Sequence, residues 1–120
     1  MNYKRGDIVI LPFPFIMKNG IKQKGRPALI ISDNDIKRRF NDIILTGITS
    51  KVQKKINKTE YLINENSVNF KKSGLIKTSV VRCEYIMTIS EEIINRKIGE
   101  LPKKIMNIID KKLKISIGLK

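Results

Sequence analysis

Short runs of β-branched, aliphatic and aromatic residues alternate with polar stretches along most of the chain, and a helical repeat appears only near its end. "RGDIVILPFPF" starts from a Gly6-Asp7 turn and predicts a strand from Ile8 to about Phe13. Pro12 and Pro14 limit ladder pairing, so the end of that strand is expected at an edge or an exit. "IMKNGIKQKG", residues 16–25, predicts a long basic loop turning at Asn19-Gly20. "RPALIIS" predicts a second strand, with Pro27 tolerated at its start. "DIILTGITS" predicts a third, and Gly47 inside it predicts a bulge or a close backbone approach. "TEYLIN" is a short fourth strand, and "TSVVRCEYIMTIS" a long last one, bent near Glu84 and Tyr85. "SEEIINRK" predicts a short helix with Ser90 as N-cap, acids in its first turn, Arg96 and Lys97 in its last, and Gly99 just beyond. From Pro102 to about Gly118, Ile105, Ile108, Ile109, Leu113 and Ile117 share a helical face among lysines. Lys112 interrupts that stripe and has to snorkel. Five or six short strands followed by an amphipathic helix imply a small, closed or half-open antiparallel barrel with the helix packed back on it.

The last strand carries unexpected cargo. Strict alternation puts Val81, Cys83, Tyr85, Met87 and Ile89 on one face, which reads as core. The other face then carries Thr78, Val80, Arg82, Glu84, Ile86 and Thr88, with Arg82 and Glu84 about 7 Å apart along the strand. Taken alone, such a pair is a solvated ion pair worth under about 1 kcal/mol.

Charge changes the picture. The 120 residues include 25 Lys and Arg against 11 Asp and Glu, a net charge of +14. One domain over residues 1–120 is expected, basic enough to meet a polyanion: nucleic acid, or an acidic protein that imitates it. The plainer source of the charge is a composition rich in Lys, Ile and Asn. With one cysteine, Cys83, no intramolecular disulfide can form, and a reducing, cytoplasmic setting is expected. "MNYKRGDIV" has no long apolar stretch, so no signal peptide is expected, and no apolar run approaches the roughly 20 residues of a membrane span. There is no histidine, so neither imidazole acid–base chemistry nor a His metal site is available, and one thiol makes no zinc cluster. No metal and no cofactor are expected; any catalysis falls to carboxylates, Arg, Lys, Tyr or hydroxyls.

"RGDIVILPF", "GRPALIIS", "GITS", "SGLIKTSVVRCEY" and "IGELPKKIMNIIDKKLKISIGL" occur in the order and at the spacing of the MazF/PemK (Kid) family of toxin–antitoxin toxins. The resemblance runs from about Lys4 to Leu119. It implies an SH3-like small barrel of the CcdB/MazF type, a homodimer, and a ribosome-independent endoribonuclease that cuts single-stranded RNA. It also implies an acidic antitoxin that covers the same groove. By resemblance, Arg26 contacts the scissile phosphate and Thr49 lies beside it, while Arg82 and Glu84 take the places of an acid and base pair. Lys18, Lys22, Lys24, Ser50, Lys51, Thr78 and Tyr85 are the RNA-binding candidates around them. Some family members carry a histidine where this chain has Lys18, Lys22 and Lys24; Tyr85 replaces a common glutamine, and Met87 a frequent arginine.

These residues suit cleavage by the RNA's own 2′-hydroxyl. Arginine forks answer the charge of the phosphorane, and Glu84 takes the 2′-proton. Arg82 and Arg26 favour an ionised Glu84 and weaken it as a base, whereas burial under RNA does the opposite. Other readings stay open at this stage. Arg26 and Thr49 also suit ordinary strand ends, Cys83 a packing role, and Tyr85 either core or base stacking. A CcdB-like, non-enzymatic gyrase poison and a basic SH3-like nucleic-acid-binding module are the rival functions.

Overall fold

The computed structural model describes residues 3–17 and 20–120, and the backbone alone for 13–17 and 20–24. Strands β1 (Asp7–Met17), β2 (Gly20–Ile30), β3 (Asp42–Thr49), β4 (Glu60–Ile63), β5 (Ser79–Ser90) and β6 (Arg96–Glu100) form one curled antiparallel sheet in the order β4-β5-β3-β2-β1-β6. A helical turn α1 (Phe70–Ser73) precedes β5, and helix α2 (Lys103–Ile117) follows β6.

The basic loop expected over residues 16–25 is instead the far end of a hairpin. β1 and β2 stay paired from Ile8↔Leu29 out to Met17↔Gly20. An Asn-Gly dipeptide between two strand-forming sequences is a hairpin signal as much as a loop signal. Lys22 and Lys24 therefore belong to β2, opposite Phe15 and Phe13, while Lys18 lies outside the described residues. The prolines sit where the ladder spares them. β6 pairs with β1 only over Asp7–Ile10, so Pro12 and Pro14 need satisfy β2 alone. Pro27 falls just before Ala28–Ile30, the stretch of β2 that pairs with β3.

The short helix expected from "SEEIINRK" shrinks to a single 3₁₀ turn, Glu91–Ile93, with the Ser90 hydroxyl accepting the Glu92 amide at 3.3 Å. Arg96–Glu100 is strand, because it pairs along β1 and is held at both ends: the Asn95 amide donates to the Ile10 carbonyl and the Leu101 amide to the carbonyl of Gly6, just before β1. Gly99 is therefore no helix terminator. A Cβ there would come within 2.3 Å of the α1 backbone at Lys72 and Ser73, so only glycine lets β6 pass under α1.

α2 starts after Pro102 and ends at Gly118, whose left-handed φ of 77° lets the Leu119 amide bond the Lys114 carbonyl. It buries Ile105, Met106 and Ile109. Ile108 and Ile117, expected in the stripe, face solvent, because the helix is rotated toward Met106 and Ser116. The Ser116 hydroxyl donates to the Cys83 carbonyl at 2.8 Å. Lys112 snorkels as expected, its ammonium reaching the Lys58 carbonyl.

The sheet packs on both faces. Ile8, Leu29, Ile48, Val81 and Cys83 join α2 in one cluster. Val9, Leu11, Ala28, Ile30, Ile43 and Leu45 form a second on the opposite face, with Tyr3 and Ile94. Ile109, fully buried, ties α2 to the first cluster. Ile109→Ala should cost about 2–5 kcal/mol, the range for truncating a buried aliphatic side chain. Urea denaturation should show the midpoint falling at unchanged slope.

Candidate functional site

A break in register between β3 and β5 builds the site. Thr46 pairs with Ile86, yet the next residue, Gly47, pairs with Arg82. Cys83, Glu84 and Tyr85 are thus extra residues on β5. An odd insertion swaps the faces of everything beyond it. Val81 and Cys83 lie in the cluster under α2, whereas Met87 and Ile89 pack against the opposite cluster. Strict alternation along β5 is therefore overturned, and Tyr85 is not core: it is 44% exposed. The bend expected near Glu84 and Tyr85, and the bulge expected at Gly47, are this one feature.

The bulge opens a cleft of about 270 Å³, lined by Arg26, Gly47, Ile48, Thr49, Lys51, Arg82 and Tyr85. Arg26 has the parity of Ala28 and Ile30, and Thr49 that of Leu45 and Ile43, which places the cleft on the sheet face away from α2. Cross-strand register sets Gly47 beside Arg82 and Thr49 beside Val80. Tyr85 lies over Gly47, its Cγ 3.6 Å from where a Cβ would stand. The Arg82 guanidinium sits 5.4 Å from the Tyr85 ring centroid, a cation–π contact that holds both side chains in the cleft. The Thr49 hydroxyl accepts the Lys51 amide at 3.1 Å, which leaves its own proton to donate to a bound oxygen.

Glu84 stands beside the cleft on the bulge. One carboxylate oxygen accepts the Thr59 hydroxyl at 2.5 Å, and the other faces the Arg82 guanidinium at 3.4 Å. The Thr59 hydrogen bond is the largest cause holding its carboxyl below the ordinary glutamate value; desolvation, next in size, opposes it, and the Arg82 hydrogen bond and charge add smaller lowering effects. Thr59 was not legible as a site residue, because its link to Glu84 arises from β4–β5 pairing across 25 positions of sequence.

Other candidates fall elsewhere. Thr78 is spent on Glu65: its hydroxyl accepts the Glu65 amide at 3.0 Å, and its amide donates to the Glu65 carboxylate. It is not among the residues lining the cleft. Ser50 is exposed between two lining residues, Thr49 and Lys51. The side chains of Lys22 and Lys24 lie outside the described residues. Cys83 is fully buried, and burial pushes its thiol up to about 11, so it packs rather than attacks. A larger hollow of about 820 Å³ lies at the other end of β2 and β3, near Lys37, Arg38 and Phe40. It gathers none of the sequence-derived candidates, and its Arg38 is engaged by the Asp42 carboxylate and carbonyl.

Among the described residues, no group of three or more His, Cys, Asp or Glu is placed to hold a metal ion, and no helix is long and apolar enough to cross a membrane.

Both the chain and its fold resemble known proteins. The endoribonuclease EndoA of Bacillus subtilis strain 168 is 33% identical over 121 residues, covering 99% of this chain and 97% of that protein. A MazE-MazF complex from Deinococcus radiodurans matches with a TM-score of 0.74 at 17% identity, covering 99% of this chain and all (100%) of that one. An endoribonuclease bound to its cognate antitoxin, from a mycobacterial species, matches with a TM-score of 0.72 at 20% identity, covering 99% and 98%. At such identities the two structures establish the fold, a mainly β half-barrel with a C-terminal helix. A family model of the PemK-like, MazF-like toxins of type II toxin–antitoxin systems matches residues 4–117, and with the EndoA match this shows that the chain belongs to that family.

Proposed function

We propose that this toxin is an endoribonuclease that cuts single-stranded RNA at Arg26, Thr49, Arg82 and Glu84. The observation that carries the reading is the convergence of Arg26, Thr49 and Arg82 on one cleft, with Glu84 tied to Arg82 at its side. The RNA 2′-hydroxyl attacks the adjacent phosphorus while Glu84 accepts its proton. Arg26 and Arg82 neutralise the phosphorane, and the Thr49 hydroxyl donates to a phosphate oxygen. The bond from phosphorus to the 5′-oxygen breaks, and that oxygen takes up a proton from solvent water. Tyr85 offers a face for a base, with Arg82 already stacked on it. Lys51 in the cleft, Ser50 beside it, and Lys18, Lys22 and Lys24 of the basic sequence preceding Arg26 supply the positive charge that tracks the strand.

The toxin acts as a homodimer in the cytoplasm and is held inactive by an acidic antitoxin. The antitoxin-bound relatives and the net charge of +14 support that partner. A CcdB-like gyrase poison would have no use for an arginine-lined cleft with a carboxylate at its side.

The test is Glu84→Gln. Cleavage of a long RNA should fall about a hundredfold or more, the range for losing a general base. RNA binding should persist or tighten, since a negative charge leaves the groove. The wild-type rate should fall toward acid with a midpoint below the usual glutamate value, because Thr59 and Arg82 stabilise the ionised form. An unchanged rate in the variant would reduce Glu84 to an ion-pair partner of Arg82. Cleavage of supercoiled DNA in the presence of gyrase, with RNA left intact, would favour the rival.

A further inference from the structure

Glu84 lies on a bulge, and its side chain is 40% exposed. A glutamate in that position has several rotatable bonds and little packing to select among them. Its contact with Arg82 is long, at 3.4 Å, and Arg82 is also the group a phosphate would draw away. The short bond is the other one, from the Thr59 hydroxyl at 2.5 Å. Thr59 is itself fixed. Its carbonyl accepts the Cys83 amide at 2.9 Å, which joins it to the buried part of β5. Its β-branched side chain has few χ1 choices. It also ends the basic segment from Lys51 to Lys58, whose Lys58 carbonyl is held by Lys112 of α2.

We infer that Thr59 is a positioning residue for RNA cleavage: its hydroxyl clamps one oxygen of Glu84 so that the other meets the ribose when Arg82 turns to the phosphate. This rests on the reading of Glu84 as the base. With one oxygen held beside β4, the carboxylate has fewer orientations to choose among. The second oxygen keeps its lone pairs for the 2′-proton. The charged group acting on it is Arg82 on its own strand, and Glu60 pairs opposite Arg82 on β4; Lys112 reaches the carbonyl of Lys58, next to Thr59. Glu60 is occupied by the Asn57 amide at 2.7 Å, and so does not compete for Thr59.

The experiment compares Thr59→Val, Thr59→Ser, Glu84→Gln and the Thr59→Val/Glu84→Gln double variant on one short RNA. Thr59→Val keeps the shape and removes the donor. Its kcat should fall about tenfold with KM within about twofold, and the acid limb of its pH–rate profile should move up, as the ionised carboxylate loses its strongest partner. Thr59→Ser should restore both. In the Glu84→Gln background, Thr59→Val should cause no further loss, because the clamp then has no base to hold. A merely structural Thr59 would lower the melting temperature and leave the pH profile in place. If Glu84→Gln is inactive while Thr59→Val keeps the wild-type rate and profile, the clamp is wrong and the site stands. If Glu84→Gln is fully active, the site reading fails and takes the clamp with it.

Discussion

Arg26→Ala should reduce RNA cleavage about a hundred- to a thousandfold while leaving the melting temperature nearly unchanged. Arg26 lines the cleft from β2, across the sheet from Arg82 on β5, so a phosphate between the two strands meets a guanidinium from each side. Phosphorane formation adds negative charge at that point. Removing one preorganised donor from such a site costs about a hundred- to a thousandfold in rate. Lysine should rescue only in part, because an ammonium keeps the charge but lacks the planar fork that binds two phosphate oxygens. The fold should tolerate the loss. Arg26 is partly exposed and lies before the stretch of β2 that pairs with β3, outside both buried clusters. A substitution at a partly exposed position outside the core costs about 1 kcal/mol or less. Rate and thermal unfolding measured on the same preparation check both halves. A variant that cuts at the wild-type rate removes Arg26 from the site. One that is inactive because it has unfolded says nothing about phosphate, and circular dichroism separates the two.

The residues of the site were legible in the sequence; how they come together was not. The charged pair Arg82 and Glu84 stood out within its strand, the family resemblance singled out Arg26 and Thr49 beside it, and Arg26, Thr49 and Arg82 line one cleft. The same pattern misplaced Tyr85. Alternation assumes a regular ladder, and β5 carries extra residues at Cys83–Tyr85, so its apolar positions change faces partway. Gly47 and the expected bend marked the spot without revealing the odd count that causes the flip. Thr59 was missed for a related reason. It touches Glu84 only because β4 returns alongside β5, and an isolated threonine at a strand start carries no sign of that.

The elements show the same division. α2 matched its expected span because Pro102 and Gly118 are local signals, acting within a turn of their own positions. The rotation of α2 did not follow from them. Its buried face depends on what the sheet offers, and Met106 and Ser116 proved better fitted to it than Ile108 and Ile117. β6 was misread as the end of a helix because acids followed by basic residues are a helical charge pattern. Pairing with β1 outweighed that weak preference, and Lys97 serves the strand instead, bridging Asp7 at 3.2 Å and Glu100 at 3.0 Å.

Replacing the ribose before the cut by 2′-deoxyribose should abolish cleavage at that position, and excess EDTA should leave cleavage of ordinary RNA intact. Both results follow from which groups this chain can bring to the reaction. It has no histidine and one cysteine, and that cysteine is buried under α2. Its 11 carboxylates face 25 cationic side chains. Of these acids, Glu84 is bonded to Thr59 and Arg82, Asp7 to Lys97, and Asp42 to Arg38. A two-metal site needs several carboxylates free to converge within about 4 Å of paired ions, and these are engaged apart from one another. Arginines supply the positive charge instead, and they stay protonated throughout. With charge neutralised that way, the nucleophile nearest the phosphorus is the substrate's own 2′-hydroxyl, and on the proposed reading Glu84 is the base that removes its proton. The fragments must then carry a 2′,3′-cyclic phosphate and a 5′-hydroxyl, which mass spectrometry distinguishes from the products of water attack. Cleavage at subsaturating RNA should weaken as salt rises, since a basic groove binds by releasing counterions. The deoxy-substituted strand should still bind and compete, because the arginines meet its phosphate unchanged. A 5′-phosphate product, strict dependence on magnesium, or normal cutting of the deoxy-substituted strand would overturn this mechanism.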